Sequence, residues 1–329
     1  MTESAADAFT RLRPLLFSIA YRMLGSVSEA EDLVQEAFLR YQRALDDGTR
    51  IEAPKAYLSA TVTRLAIDEL KSARARREIY VGQWLPEPLL TDEGEADPAG
   101  VAERSDEVSM AFLLVLERLG PVERAVFLLH DVFSYGFGEI AEIVGRSAEA
   151  CRQLAVRARR RVAEDRPRFA AARAQREALA GRFFAALSAG DVDGLMALVA
   201  PDVVVQGDGG GNAPQWSKPI AGPDRVAKLL AGLGHQIGEL KLRLERREVN
   251  GQPGVIVRTP ENEIVNVLVI EIYDDRVLAI RSVINPEKLR HLGPVADVWG
   301  MVRERAARSR SAPPSGSRRP ARRADRGAR

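Results

Sequence analysis

The stretch from 145 to 161, GRSAEACRQLAVRARRR, gathers side chains that can read nucleic-acid bases. Arg152 suits the O6 and N7 acceptors of guanine, and Gln153 suits the N6/N7 edge of adenine. Arg157, Arg160 and Arg161 suit backbone phosphates, which position a protein without specifying sequence. The spacing predicts a helix. Ser147 can cap it, and Cys151, Leu154, Ala158 and Val162 share one apolar stripe, which turns Arg152, Gln153, Arg157 and Arg160 outward. Immediately upstream, EIAEIV forms a short apolar helix that ends at Gly145. A short helix, a glycine turn and a second helix make a helix-turn-helix, whose second helix fits the major groove. The bland alternative is a basic face on an ordinary soluble helix; the preceding helix and turn weigh against it.

A second polar face lies on the helix expected from Pro54. Arg64, Asp68 and Lys71 recur at helical spacing, Arg74, Arg76 and Arg77 follow, and Lys55 and Tyr57 stand near its start. Charge with stacking binds single strands, although these residues by themselves read first as a salt-bridged surface helix. On the helix before it, Asp32, Gln35, Glu36 and Leu39 share a face that is either solvated or a docking surface. Toward the C-terminus, VVVQGDGGGNAP places three successive glycines at a strand end, without the Gly-Lys-Ser/Thr of a phosphate loop. His130, His235 and His291 are scattered. Only Asp208 and His235 offer themselves as acid or base, and they make a poor pair, so neither an enzyme nor a cofactor or metal site is expected.

The elements that carry these residues fall into blocks. Residues 7–77 read as three helices, with Phe9, Leu12, Leu16, Ile19 and Met23 inside the first and a capping box at Ser28–Glu31 opening the second. Leu58, Val62 and Leu65 give the third its buried stripe. From 80 to 106 the periodicity collapses into an acidic, Pro- and Gly-rich flexible linker with one apolar anchor, Trp84-Leu85-Pro86. Helices resume to 168. After one more helix, alternating segments separated by NGQPG and DDR read as antiparallel hairpins, hence an α+β domain.

Of 329 residues, 46% are hydrophobic and 29% charged, ordinary values for globular protein. The net charge of +2 is unevenly spread: after Met301, ten arginines against Glu304 and Asp325 give +8, so the rest carries −6. The tail is expected to be disordered, and either dispensable or a salt-sensitive aid to DNA binding. With Cys151 the one cysteine, no disulfide framework is possible. No signal peptide or membrane span is expected, which points to a cytoplasmic protein.

Two long segments resemble a known family. SEAEDLVQEAFLRYQRAL with APKAYLSATVTRLAIDELKSARARR is similar to region 2 of sigma-70 factors of the extracytoplasmic-function class. LERLGPVERAVFLLHDVFSYGFGEIAEIVGRSAEACRQLAVRARRRV is similar to their region 4. WLPEP (84–88), DGGG (208–211) and NPEKLRHL (285–292) resemble the SigJ-type subgroup, which carries a C-terminal SnoaL-like, cone-shaped α+β barrel. The resemblance spans about residues 7–293. It implies region 2 over 1–79, the linker over 80–106, region 4 over 107–168, the SnoaL-like domain over 169–293 and a basic tail over 294–329.

The same resemblance implies roles. Asp32, Gln35 and Glu36 would dock on core RNA polymerase. Lys55, Tyr57, Arg64, Lys71 and Arg74 would hold the melted −10 strand, and Glu149, Arg152, Gln153, Arg157 and Arg160 would read or hold the −35 element of promoter DNA. The linker would thread toward the polymerase channels. Trp84, Leu85 and Pro86 with Asp208, Gly209, Gly210, Gly211, Asn285, Pro286 and Leu289 would form an intramolecular contact that arranges the two DNA-binding domains, so no separate anti-sigma factor is required. The subgroup has a basic residue after its glycines where this chain has Asn212, a departure expected to weaken that contact. A helix-turn-helix repressor with a sensor domain and a SnoaL-like enzyme fusion are the alternatives; the polymerase-docking face of the second helix argues against the repressor.

Overall fold

Three helices open the chain, in a computed structural model that describes residues 5–77, 80–91, 108–164 and 173–311. Helix α1 (Ala5–Leu24) buries Leu12, Leu16, Ile19 and Met23. It stops at Gly25, whose φ of +68° is left-handed. That turn leaves Ser26 extended, so Ser26 is the N-cap of α2 (Val27–Asp46), and its Oγ accepts from the Glu29 amide at 3.1 Å. The cap thus lies two residues before the box expected at Ser28. Helix α3 (Pro54–Arg77) buries Leu58, Val62, Ala66 and Leu70, with Leu65 only half-buried.

The second helical set is α4 (Met110–Leu116), α5 (Pro121–Phe127), a π-helical turn (Leu128–Val132), α6 (Phe137–Val144) and α7 (Ala148–Glu164). Gly145, at φ +65°, closes α6 and turns the chain into α7. The buried stripe of α7 is Cys151, Ala155, Ala158 and Val162, with Leu154 at its edge. The two alanines let α7 lie against α5, which places the larger Leu154 on the flank. Although the two sets read as separate domains, they share one apolar core that runs from Leu16, Tyr41 and Leu58 through Phe127 and Tyr135 to Val162.

The C-terminal part is α8 (Arg173–Ala189), α9 (Val192–Leu198), β1 (Val199–Asp208), β2 (Ile220–Ala221), α10 (Pro223–Glu239), β3 (Arg243–Val249), β4 (Gln252–Arg258), β5 (Ile264–Tyr273) and β6 (Arg276–Val283). Its sheet has the order β2-β1-β6-β5-β4-β3. Asn250 and Gly251, both left-handed, make the two-residue turn between β3 and β4. The run is not purely antiparallel: β1 pairs with β6 in parallel, because α10 and four more strands intervene before β6 returns beside it. On one face Val283, Val267 and Ile256 lie side by side across β6, β5 and β4. They form an apolar cluster with Leu85 and Met110 from the helical half and Leu289 from the segment after β6, and these cover the face.

Residues 80–91 are therefore a packed strap rather than flexible linker. Leu85 is fully buried, Pro86, Glu87 and Pro88 are buried, and Leu90 forms an antiparallel bridge to Val249. Burying one leucine is worth about 1.5–3 kcal/mol, and the prolines reduce the entropy lost on fixing the strap. The acidic remainder, 92–107, lies outside the described residues.

Helix α11 (Val298–Ser311), taken by itself, corrects the expectation of disorder from 301 onward. Asp297 Oδ1 accepts from the Gly300 amide at 2.8 Å, and the run that follows, MVRERAAR, is mostly Arg, Ala, Met and Glu, which are good helix formers. Residues 312–329 lie outside the described residues. Among the described residues no helix is long and apolar enough to cross a membrane.

Candidate functional site

Asp208, at the end of β1, has no exposed surface and is the centre of a polar cluster under the strap. Its Oδ2 accepts from the Leu85 amide and from Lys288 Nζ, each at 2.7 Å, and its Oδ1 accepts from the Tyr80 hydroxyl. Asn285 Nδ2 donates to the same hydroxyl at 3.0 Å. The Lys288 ammonium also donates to the Leu85 carbonyl and sits 5.1 Å from the Tyr80 ring centre and 4.4 Å from that of Trp84. An aromatic cage with a buried counterion suits an ammonium that has lost its water. Burial, then the adjacent Asp208 charge, pushes the Tyr80 phenol well above its ordinary range, so it stays a neutral donor.

The glycines fit this cluster. Gly210 has φ +59°, and a Cβ there would collide with Asn285 and crowd Tyr80. Gly209 turns the chain by accepting from the Asn212 and Ala213 amides. Leu289 is fully buried in the apolar cluster above, while Pro286 is half-buried at the N-terminus of a short 3₁₀ turn capped by Asn285. Asn212 does not leave the cluster without a cation, because Lys288 of NPEKL supplies one to Asp208.

Two further anchors join the strap to the helices, and neither was singled out by sequence reasoning. Glu87, the acid of WLPEP, caps α2: its Oε2 accepts from the Val27 amide at 2.8 Å and the Ser28 amide at 3.0 Å, and its Oε1 accepts from Ser26 Oγ. A carboxylate at a helix N-terminus also meets the positive end of the helix dipole. Asn250, at the tip of the β3–β4 hairpin, is fully buried. Its Nδ2 donates to the Tyr21 hydroxyl at 2.6 Å and the Val108 carbonyl at 2.8 Å, and its Oδ1 accepts from the Leu89 amide at 3.0 Å. One side chain thus ties the hairpin to α1, the strap and the approach to α4. NGQPG announces a turn in the sequence; nothing local announces these partners.

The residues expected to hold a melted strand do not form one open surface. Arg64 lies on α3, yet its Nε and Nη2 donate to the carbonyls of Ile143 and Glu142 at 2.9 and 2.8 Å, at the end of α6. Lys55 Nζ sits 5.6 Å from the ring centre of Tyr135, whose hydroxyl donates to Ser59 Oγ at 2.8 Å. Arg124 on α5 is buried, paired with Glu117 at 2.8 Å and bonded to the Met23 carbonyl; burial lowers its guanidinium to about 9, still charged at neutral pH. Tyr57 is half-buried against Tyr41, and Lys71 is exposed and paired with Asp68 at 2.8 Å. The side chain of Arg74 lies outside the described residues.

The face of α7 is open. Glu149, Arg152, Gln153, Arg157 and Arg160 are all exposed. Arg152 is held by Glu149 at 3.2 Å and lies 5.6 Å from the Phe137 ring centre, and Arg160 pairs with Glu164 at 3.3 Å. On α2, Asp32 and Gln35 are exposed beside Leu39, and half-buried Glu36 pairs with Arg40. Asp208 and His235 are not an acid–base pair: Asp208 is consumed by the strap, and His235 packs on the left-handed turn at Gly190.

Family models match three stretches: sigma-70 region 2 over 8–76, sigma-70 region 4 over 109–162, and a SnoaL-like domain over 180–278. Over 294 residues the chain is 38% identical to the ECF RNA polymerase sigma factor SigJ of Mycobacterium tuberculosis, covering 85% of this chain and 91% of that protein. The chain belongs to the ECF sigma factors. A probable ECF RNA polymerase sigma factor of the same organism, SigI, is 34% identical over 294 residues, covering 87% of this chain and 95% of that protein. The crystal structure of M. tuberculosis SigJ superposes with a TM-score of 0.69 at 36% identity, over 88% of this chain and 99% of that one. In family terms, α1–α3 are region 2, α4–α7 are region 4, and the six-stranded sheet with its helices is the SnoaL-like domain. The strap therefore links regions 2 and 4 while packed on the SnoaL-like sheet.

Proposed function

We propose that this chain is an alternative sigma factor that directs promoter-specific initiation with core RNA polymerase, and that its SnoaL-like domain holds it in cis in a closed form. The exposed Asp32 and Gln35, with half-buried Glu36, would dock on the polymerase. Region 4 would read the −35 element through Arg152 and Gln153, with Glu149 beside them and Arg157 and Arg160 on phosphates, and region 2 would hold the melted −10 strand through Lys55, Tyr57, Arg64, Lys71 and Arg74.

One observation carries the closed-form reading: Arg64 is bound to the last carbonyls of α6, inside the helix-turn-helix. The −10 and −35 elements are about 25 base pairs apart, roughly 85 Å at 3.4 Å per step. Region 2 and region 4 share one core in this structure, so both elements cannot be read until that core parts. Trp84-Leu85-Pro86 packed on Asp208, Gly209–Gly211 and Asn285–Leu289 is then the latch, and a separate anti-sigma protein is unnecessary. Catalysis by the SnoaL-like domain forms no part of this reading.

The test combines binding with distance. Fluorophores on region 2 and region 4, at the exposed positions 10 and 163, should report a short separation in the free chain and a long one with core polymerase. Arg64→Ala should lengthen the free-chain separation, and Asp32→Ala/Glu36→Ala should weaken comigration with core. A chain that never comigrates with core is not an initiation factor. One that binds core with the separation unchanged is not closed in the way proposed.

A further inference from the structure

The reading helix carries one residue that neither phosphate contact nor the core explains. Val156 is 63% exposed. Every other exposed side chain between Glu149 and Arg161 on α7 is charged or an amide. Val156 stands one turn beyond Arg152 and three residues beyond Gln153, so it lies between them and Arg160 at the middle of the outward face. The opposite side, Cys151, Ala155, Ala158 and Val162, is fully engaged in the core. A β-branched residue is also a weaker helix former than the arginines around it, so neither local propensity nor packing selects valine here.

Its neighbours narrow what it meets. Arg152 is fixed by Glu149 and the Phe137 ring, which aims a guanidinium outward from the first turns of α7. The N-terminal part of a recognition helix approaches base edges, and the apolar group displayed in the major groove is the C5-methyl of thymine. We propose that Val156 reads a thymine methyl in the −35 element, next to the base pair that Arg152 contacts. This rests on the initiation reading above and adds a base identity to it.

The test uses holoenzyme assembled from the full chain and core polymerase. It is selected on duplexes with a randomised −35 segment and a pre-melted −10 region. The selected element should contain a thymine close to the guanine whose enrichment Arg152→Ala abolishes. Replacing that thymine by deoxyuridine removes only the methyl and should weaken wild-type binding about fourfold, the value of one buried methyl-sized group. Val156→Ala should bind the two templates equally, Val156→Thr should keep most of the difference, and Arg152→Ala should leave the methyl effect in place. An element without a thymine there, or an equal methyl effect in wild type and Val156→Ala, overturns the assignment. If no sequence is enriched at all, the initiation reading fails and takes this one with it.

Discussion

Replacing Asp208 by alanine should release the strap while leaving the SnoaL-like sheet folded. The pair it makes with Lys288 is dry, with side chains 0% and 10% exposed. Removing one partner of a buried pair costs about 3–5 kcal/mol, because the remaining charge must be buried alone. Here the remaining charge is the Lys288 ammonium, which the strap covers with Tyr80, Trp84 and the Leu85 carbonyl. With the strap lifted, water solvates that ammonium; with it closed, nothing replaces the carboxylate. The cost therefore falls on closure, and the closed-to-open ratio should drop roughly a hundred- to several-thousand-fold. Hydrogen exchange at the Leu85 amide, which donates to Asp208, reads this directly, and Trp84 emission should shift toward the solvated value. Asp208→Asn/Lys288→Met should recover much of the protection, since neither charge is then left over. A folded Asp208→Ala chain with wild-type Leu85 exchange and Trp84 emission would refute the latch.

Asn250→Ala should cost about 2–4 kcal/mol of thermal stability, since Tyr21, Val108 and Leu89 all lose a partner in a dry site, and calorimetry on the full chain measures it. High pH should also loosen the strap. Tyr80 has a raised folded pKa, so once the unfolded or released phenol ionises above about pH 10 the open form binds fewer protons and closure weakens as pH rises. Tyr80→Phe should flatten that part of a Trp84 emission profile against pH, and an unchanged profile would remove Tyr80 from the latch.

Much of the fold was legible because its signals are local. Gly145 after EIAEIV, the stripe at Cys151, Ala158 and Val162, and the turns at NGQPG and DDR are each read within a few residues. The misreadings have local causes too. The Ser28 box matched a pattern, but Gly25 had already placed the cap at Ser26. The strap looked like linker because Pro, Gly and acid break periodicity, and an extended segment held by another domain has no period to show. α11 was hidden by an arginine-rich composition that also suits disorder. The site was harder. Lys288 and Asp208 lie 80 residues apart, Asn250 and Tyr21 lie 229 apart, and no spacing rule reaches that far. Resemblance brought the three short motifs forward, while Glu87, Lys288 and Asn250 required coordinates.

In the proposed closed form, the chemistry of the contacts lets one domain both hold the chain closed and let it go. An apolar interface would release slowly, since every part of it loses by opening. Here the apolar core shared by regions 2 and 4 and the Leu85 cluster are flanked by polar anchors: Glu87 on the α2 amides, Asn250 on Tyr21, Arg64 on the α6 carbonyls and Asp208 on Leu85 and Lys288. Such groups are costly to leave unpaired in a dry site, but exchanging them for water costs only about 0.5–1.5 kcal/mol each. Closure is thus cooperative, and one wetted anchor lowers the cost of opening the next. Holding 99% of the chain closed needs about 2.7 kcal/mol, half the swing from 1:99 to 99:1. The loss expected for Asp208→Ala exceeds that, so this one substitution should invert the population at the strap, while the core shared by regions 2 and 4 and the Arg64 contact still have to part before the chain reads DNA.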